Sequence, residues 1–235
     1  DDEREIGAAV VDIGGGTTDI LLYIDGGIAH ASVVPVGGNN ITNDIAAGLR
    51  TPMAEADRLK RLFGCALGRM VADDEEIEVP GVGGHLPRRV PRRVLSDIIE
   101  PRVEEIFAVV RKRIEDTGLL EQLSAGVVLT GGSVLLEGTT EIAEEILGMP
   151  VRIGFPTGVR GITQLVHGPQ YATGVGLVRY GAQAIADAHA RTAAPAQSMM
   201  RLTASAKREI AAAEGVKPEE APKSSRLWEW LKAAF

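Results

Sequence analysis

The chain has 235 residues, of which 45% are hydrophobic and 24% are charged, so it can form one or two globular domains with a sizeable core. Its formal net charge of −7 argues against a general nucleic-acid binder, which is usually basic. Cys65 is the only cysteine, which excludes an internal disulfide and favours a reducing compartment, and the sequence has no apolar run of about eighteen residues that would span a membrane.

A glycine-rich stretch near the start of the chain joins two apolar runs, residues 8–13 and 20–24, and each run predicts a strand. Glycine keeps side chains away from a ligand, and successive N–H groups in such a turn can form an anion-binding concavity. Asp12 ends the first strand and is placed to hold Mg²⁺ directly or through water, because Mg²⁺ takes one or two carboxylates beside phosphate oxygens. The stretch predicts a Mg-nucleotide phosphate loop, although many glycine-rich hairpin turns bind nothing. Its candidate residues are Gly14, Gly15, Gly16, Thr17 and Thr18.

A third strand and a first helix are predicted next. Residues 28–35 form another apolar run, which the turn Asp25-Gly26-Gly27 joins to the second strand in an antiparallel meander. Residues 41–49 then repeat apolar side chains at helical spacing. An α/β fold therefore begins with three sequential strands.

The next helix carries a charge pair. Thr51 is predicted as its N-cap and Pro52 as its first residue, and Gly64 ends it. Asp57 and Lys60 are three residues apart, so they share one face of this helix. From the spacing alone, a solvated charge pair is the ordinary interpretation.

Residues 66–94 predict a small β-rich insertion, because three short segments alternate loosely between glycines and prolines. The segments are 66–71, 75–79 and 86–90. Four arginines lie close together at its end, and for a surface cluster the ordinary interpretation is solubility. They are Arg88, Arg89, Arg92 and Arg93.

A long helix over 95–117 follows, with Pro101 expected to kink it and Gly118 to end it. Its apolar stripe predicts one buried face. The stripe consists of Leu95, Ile99, Val103, Ile106, Val110 and Ile114.

An apolar run over 125–130 predicts a buried strand, and Gly131, Gly132 and Ser133 follow it in a tight turn. The two glycines let the backbone pass close to a ligand, although a simple strand-to-helix turn is the alternative. The remaining predicted elements are a helix at 139–147, a strand at 151–153 and a helix at 169–186 whose small residues predict close packing.

The end of the chain changes character. Residues 189–224 are rich in Ala, Glu, Lys, Pro and Ser and predict a flexible linker. Residues 225–235 contain both tryptophans and predict a short amphipathic helix that suits a membrane interface, with docking on the protein's own surface as the alternative. The candidate membrane residues are Leu227, Trp228, Trp230, Leu231 and Phe235.

The order of several motifs resembles the FtsA family of bacterial actin-like cell-division proteins. These motifs are the glycine loop, the helix ending at Gly64, the segments 79–84, 99–102 and 128–132, and the Trp-rich tail. The resemblance implies an α/β actin-like ATPase fold, related to ribonuclease H, and only its second lobe with a small inserted α+β subdomain. We therefore expect the chain to begin within a longer protein that carries another phosphate loop upstream. The implied nucleotide-binding subdomain comprises residues 1–51 and 125–188, and the implied outer subdomain comprises residues 52–124. The flexible linker is 189–224, and the amphipathic membrane-targeting helix is 225–235.

The resemblance also implies site residues. ATP and Mg²⁺ would contact the glycine loop with Asp12, the ribose and base would contact Asp57 and Lys60, and the adenosine would contact Gly131, Gly132 and Ser133. The family has glutamate more often than aspartate at the position of Asp57. The surface implied for the C-terminal peptide of the tubulin-like protein FtsZ contains Arg88, Arg102 and Glu105.

The implied function is a peripheral scaffold at the cytoplasmic face of the cell membrane. It would bind ATP, self-associate into actin-like polymers and hold FtsZ filaments at the division septum. Any hydrolysis is expected to be slow and regulatory, because the sequence offers no obvious base beside the glycine loop. A sugar or acetate kinase of the same superfamily is the alternative, and its substrate pocket would have no use for a tethered Trp helix.

Overall fold

The computed structural model describes residues 2–83, 85–159 and 163–190. The chain forms two compact units, Asp1–Val178 and Arg179–Phe235. In its described residues the first unit contains a five-stranded sheet, a two-stranded hairpin, five helices and a further helical segment at 172–178; in the second, residues 179–190 are helical. The predicted linker from residue 191 onward and the predicted Trp-rich helix lie outside the described residues.

The main sheet begins with the predicted meander. Strands β1 (Ala8–Ile13), β2 (Thr18–Ile24) and β3 (Gly27–Val34) pair antiparallel in sequence order. Strands β6 (Val127–Thr130) and β7 (Val151–Ile153) add to the other side of β1 in parallel, giving the order β3-β2-β1-β6-β7. Because β1 and β6 are parallel, their carboxyl ends meet at one edge of the sheet, with Asp12 opposite Thr130.

The helices cover this sheet and extend beyond it. They are α1 (Asp2–Glu5), α2 (Gly38–Gly48), α3 (Met53–Phe63), α4 (Arg92–Glu115) and α5 (Thr139–Leu147). Helix α4 packs against α2 and α5, and its predicted apolar stripe is buried throughout. The stripe drives this packing, since each fully buried aliphatic side chain contributes about 1.5–3 kcal/mol.

Two local predictions around α3 are wrong. Pro52, rather than Thr51, is the N-cap residue. The buried Thr51 hydroxyl donates instead to the Pro80 carbonyl at 2.7 Å. Residues 66–71 form no strand; they contain the 3-10 turn Gly68–Met70. The other two β segments are confirmed as the hairpin of β4 (Glu76–Val79) and β5 (Arg88–Pro91).

A helix runs through residues 172–190 after the 3-10 turn Pro169–Tyr171. A Cβ added to Gly174 or Gly176 would meet no atom within 4 Å in the described part of the chain, so the predicted close packing is not seen at these two glycines. Leu177, on the same helix, is 66% exposed. No helix in the described ranges combines the length and apolar character needed to cross a bilayer.

Candidate functional site

The glycine loop is a tight turn between β1 and β2. The Gly14 N–H donates to the Thr17 carbonyl at 2.9 Å, which closes the turn. Gly15 and Gly16 are exposed, and within the described part of the chain their N–H groups donate to no backbone acceptor. These two amides can therefore donate to an anion.

The first turn of α2 supports the loop from behind. The N–H groups of Gly38 and Asn39 donate to the carbonyls of Gly14 and Gly15 at 3.0 and 2.7 Å. The preceding residue must be small, because a Cβ on Gly37 would lie 2.7 Å from the Gly14 carbonyl oxygen. The sequence contained a signal for this approach, the Gly37-Gly38 pair before a helix, but these residues were not predicted to belong to the site.

Lys60 and Asp57 on α3 reach this same first turn of α2. Lys60 Nζ donates to the Gly38 carbonyl at 2.9 Å and to the Thr42 hydroxyl at 2.6 Å, and it lies 3.0 Å from Asp57 Oδ1. Burial alone would raise the pKa of Asp57, but Lys60 and then Arg61 outweigh it and hold the pKa below its usual value. The pair is therefore built into the site rather than being a solvated surface pair, and Asp57 stays charged.

The turn after β6 packs against the glycine loop. Ser133 donates its hydroxyl to the Gly14 carbonyl at 2.9 Å, which joins this turn directly to the glycine loop. Gly131 has a φ of +93°, and a Cβ there would lie 2.4 Å from Asp12 Oδ1 and 2.5 Å from the Ile13 carbonyl oxygen. Only glycine fits this conformation and this approach.

These elements surround a cleft of about 560 Å³. Six of the eleven residues predicted to bind ATP line it: Gly14, Gly15, Asp57, Lys60, Gly132 and Ser133. The other lining residues were not predicted, because their position depends on tertiary packing rather than on a local pattern. They are Gly38, Asn39, Ile41, Arg61, Gly64, Leu135, Leu136, Gln170 and Tyr171.

The remaining predicted residues lie beside the cleft lining. Gly16 and Thr17 form the exposed tip of the loop, and Thr17 donates to Asp19 Oδ2 at 3.3 Å. Thr18 is fully buried and donates its hydroxyl to the Val36 carbonyl at 2.8 Å, so in this structure it anchors the loop and its hydroxyl is not presented to a ligand.

Asp12 is partly buried at the end of β1, and the strand register places it directly opposite Asp19 on β2. Like charges in this arrangement repel each other, and a cation would relieve that repulsion. The described residues contain no group of three or more His, Cys, Asp or Glu side chains that could hold a metal by themselves. The donor set instead suits Mg²⁺, which keeps several waters and uses few protein carboxylates.

The residues predicted to bind a peptide lie around α2 and α4. Arg102 donates from Nε and Nη2 to both oxygens of Asp44 on α2, at 2.6 and 3.1 Å, and also pairs with Glu105. The hydrogen bonds to Asp44, more than the neighbouring Glu105, raise the pKa of Arg102 despite partial burial. Arg88 donates to the Leu49 carbonyl at 2.6 Å, just after α2.

The other members of the arginine cluster have different contacts. Arg92 pairs with Glu75 and Glu137 and donates to the Phe63 carbonyl, so it connects the hairpin to α3. Arg89 and Arg93 make long, exposed ion pairs with Glu76 and Asp73 at 3.5 and 3.6 Å.

Comparisons with known proteins agree on one family. The family model described as "Cell division protein FtsA" matches residues 9–176. FtsA of Pseudomonas aeruginosa is 46% identical over 187 residues, covering 80% of this chain and 45% of the relative. FtsA of Escherichia coli K12 is 43% identical over 188 residues, covering 77% of this chain and 45% of the relative. The chain thus spans about half the length of the curated relatives it matches.

A solved structure shows the same fold. MreB5 of Spiroplasma citri, bound to ADP, superimposes with a TM-score of 0.55 at 21% identity, covering 66% of this chain and 50% of that one. This likeness confirms the predicted actin-like α/β fold.

Proposed function

Since the chain belongs to the FtsA family of cell-division proteins and has an actin-like fold, we propose that it forms the second lobe of an ATP-binding scaffold that tethers FtsZ filaments to the cytoplasmic membrane at the division septum. Residues 1–51 and 125–188 form the nucleotide-binding subdomain, and 52–124 form the outer subdomain that takes the FtsZ peptide. Residues 189–224 link these to a membrane-binding helix at 225–235. The family membership favours this scaffold over a sugar or acetate kinase.

The observation that carries the proposal is the convergence of three distant segments on one cleft. The glycine loop, the Asp57–Lys60 pair and the Gly132-Ser133 turn all line it, although Gly14 and Ser133 are 119 residues apart in the chain. Each segment offers a different chemistry, namely backbone amides, a fixed charge pair and a close backbone approach. Together these features suit an extended ligand with an anionic end, such as ATP.

The chain's own residues have distinct roles in this proposal. The amides of Gly15 and Gly16 donate to the phosphates, and Lys60 and Asp57 orient the ribose and base. Asp12 would accept hydrogen bonds from water bound to Mg²⁺, and the ion would supply positive charge that neutralises the phosphates. Among the described residues lining the cleft, Asp57 is the sole carboxylate, and it is held by Lys60 and Arg61. Any hydrolysis is proposed to be slow and regulatory.

The partners follow from the outer subdomain and the tail. An acidic peptide fits the arginines around α2 and α4, because guanidinium groups bind carboxylates in two-point contacts. The apolar face of 225–235 suits a lipid surface, and self-association into polymers would add avidity to a short, weak anchor.

The test is a calorimetric titration with Mg-ATP. It uses the 235-residue chain and a chimaera in which this chain replaces the matching 45% of the Pseudomonas aeruginosa relative. We expect saturable binding by the chimaera, and Lys60→Gln should weaken it about tenfold, which corresponds to about 1.4 kcal/mol.

Lys112→Gln provides the matched control, because Lys112 makes an exposed pair with Asp116 on α4 rather than lining the cleft. Its affinity should equal that of the unmodified protein. Absence of saturable Mg-ATP binding by the chimaera, or equal affinities for the Lys60 and Lys112 variants, would contradict the proposed site.

A further inference from the structure

Thr173 makes an unexpected contact with the phosphate-loop acid. Its hydroxyl donates to Asp12 Oδ2, although the two residues are 161 positions apart in the chain. Thr173 lies in the first turn of the helix that runs through residues 172–190. Thr173 was not predicted to belong to the site, because the contact depends on where the helix begins in space.

Independent hydrogen bonds hold the start of this helix at the strand ends. The Pro169 carbonyl accepts from the Gly131 N–H at 3.2 Å and from the Thr130 hydroxyl at 3.1 Å. Thr130 is the residue paired with Asp12 across β1 and β6. The backbone near Thr173 is therefore fixed by contacts that do not involve the Thr173 hydroxyl.

The other carboxylate oxygen of Asp12 is also restricted. Gly131 approaches so closely that an added Cβ would lie 2.4 Å from Asp12 Oδ1. With Gly131 against one oxygen and Thr173 donating to the other, the Asp12 carboxylate has little rotational freedom. The charge of Asp19 opposite it makes such a restraint useful, since repulsion would otherwise turn the two carboxylates apart.

We propose that Thr173 is a positioning residue for Asp12, fixing the carboxylate in the orientation that accepts from metal-bound water. The inference rests on the proposed function and adds a residue to it. Hydrogen bonds to metal-associated carboxylates act in this way in many sites, and losing one costs about 10–100-fold in metal affinity. The role is specific to the metal, so the nucleotide alone should bind equally well without the Thr173 hydroxyl.

The test compares Thr173→Val, which removes the hydroxyl, with Thr173→Ser, which retains it. For each variant of the 235-residue chain and of the chimaera, the dissociation constant for ATP is measured with excess Mg²⁺ and again with EDTA. The ratio of the two constants gives the gain in affinity due to Mg²⁺. We expect Thr173→Val to lower this ratio about tenfold while leaving the EDTA value within about twofold, and Thr173→Ser to behave like the unmodified protein.

The possible results separate the positioning role of Thr173 from the proposed ATP binding. An equal loss of affinity with Mg²⁺ and with EDTA would show a general structural role and overturn the inference, as would an unchanged ratio in Thr173→Val. Binding of ATP by the unmodified chimaera that does not respond to Mg²⁺ would also overturn it. Absence of ATP binding in the unmodified chimaera would overturn the proposed function and this inference together.

Discussion

Gly131 is the residue with the least room for change in the cleft. It combines a left-handed φ of +93° with a backbone approach to Ile13 in which an added Cβ would lie 2.5 Å from the carbonyl oxygen. The neighbouring Asp12 carboxylate blocks the same space. The first obstacle is backbone, and the second is a carboxylate that the Thr173 hydroxyl holds in place.

We therefore expect Gly131→Ala to destabilise the fold by about 2–4 kcal/mol, because it forces a strained φ and a backbone clash together. Gly16→Ala provides the matched control, since a Cβ there would meet nothing within 4 Å. Its effect should be within about 0.5 kcal/mol. Urea unfolding followed by circular dichroism measures both, and equal midpoints for the two variants would disprove the packing described around Gly131.

For single residues, the sequence predicts those arrangements that depend on a local pattern, such as two side chains on one helix face. The spacing of Asp57 and Lys60 predicted that they share one helix face but indicated only a solvated charge pair, whereas the structure places both in the cleft lining. The sequence does not predict roles that depend on tertiary approach. Tyr171 lines the cleft because the turn at Pro169–Tyr171 is held at the end of β6, where the Thr130 hydroxyl donates to the Pro169 carbonyl.

Helix α2 is the element that connects the cleft to the outer surface. Its first turn bonds the carbonyls of Gly14 and Gly15, while Asp44, farther along it, is held by Arg102 on α4. Three donors of Arg102 are engaged by Asp44 and Glu105, which fixes the guanidinium plane. A guanidinium has five N–H donors, so two have no partner among the described residues and can bind an incoming carboxylate.

Arg102→Glu should weaken binding of an acidic FtsZ C-terminal peptide at least tenfold. The substitution removes the cation and also places a carboxylate against Asp44 and Glu105. Fluorescence anisotropy with a labelled peptide gives the affinity, and circular dichroism checks that the variant is folded. Arg113→Glu, an exposed charge reversal near the end of the same helix, should bind nearly as the unmodified chain does. An unchanged affinity in Arg102→Glu would refute this peptide surface.

Most elements could be predicted because their patterns are long or bounded by clear signals. The stripe of α4 and the strand Val151–Ile153 are confirmed. The strand predicted at residues 66–71 is wrong because this segment, whose apolar side chains are buried, contains a 3-10 turn. Its apolar run is too short for periodicity to distinguish such a turn from a strand. Thr51 was misread because a tertiary acceptor, the Pro80 carbonyl, takes its hydroxyl.

For the whole molecule, the chain spans 45% of its Pseudomonas aeruginosa relative, so the proposed nucleotide binding is best tested with the rest of that relative restored. Phosphate charge is neutralised most effectively by groups on several sides. In the proposed function, one side of such a site would consist of the glycine loop, Lys60 and the Gly132-Ser133 turn, which line one cleft. The chimaera therefore tests this lobe in the setting where the proposal places it.

Membrane attachment is the prediction that concerns the chain as a whole. Residues 201–235 carry seven Lys and Arg against five Asp and Glu, although the full chain is at −7, so this end is the part suited to an anionic lipid surface. We expect the 235-residue chain to float with vesicles of phosphatidylethanolamine and phosphatidylglycerol, and a chain ending at residue 224 to remain unbound.

Single substitutions separate an apolar anchor from simple charge attraction. Trp230→Glu should abolish flotation, because it places a charge on the apolar face of the predicted helix, whereas Glu229→Gln on the polar face should preserve it. An isolated helix of this length binds weakly, so the assay should be repeated with chains joined as dimers, in which avidity strengthens attachment. Equal recovery of the full and truncated chains, with protection of 225–235 from protease in the absence of lipid, would instead favour docking of the helix on the protein's own surface.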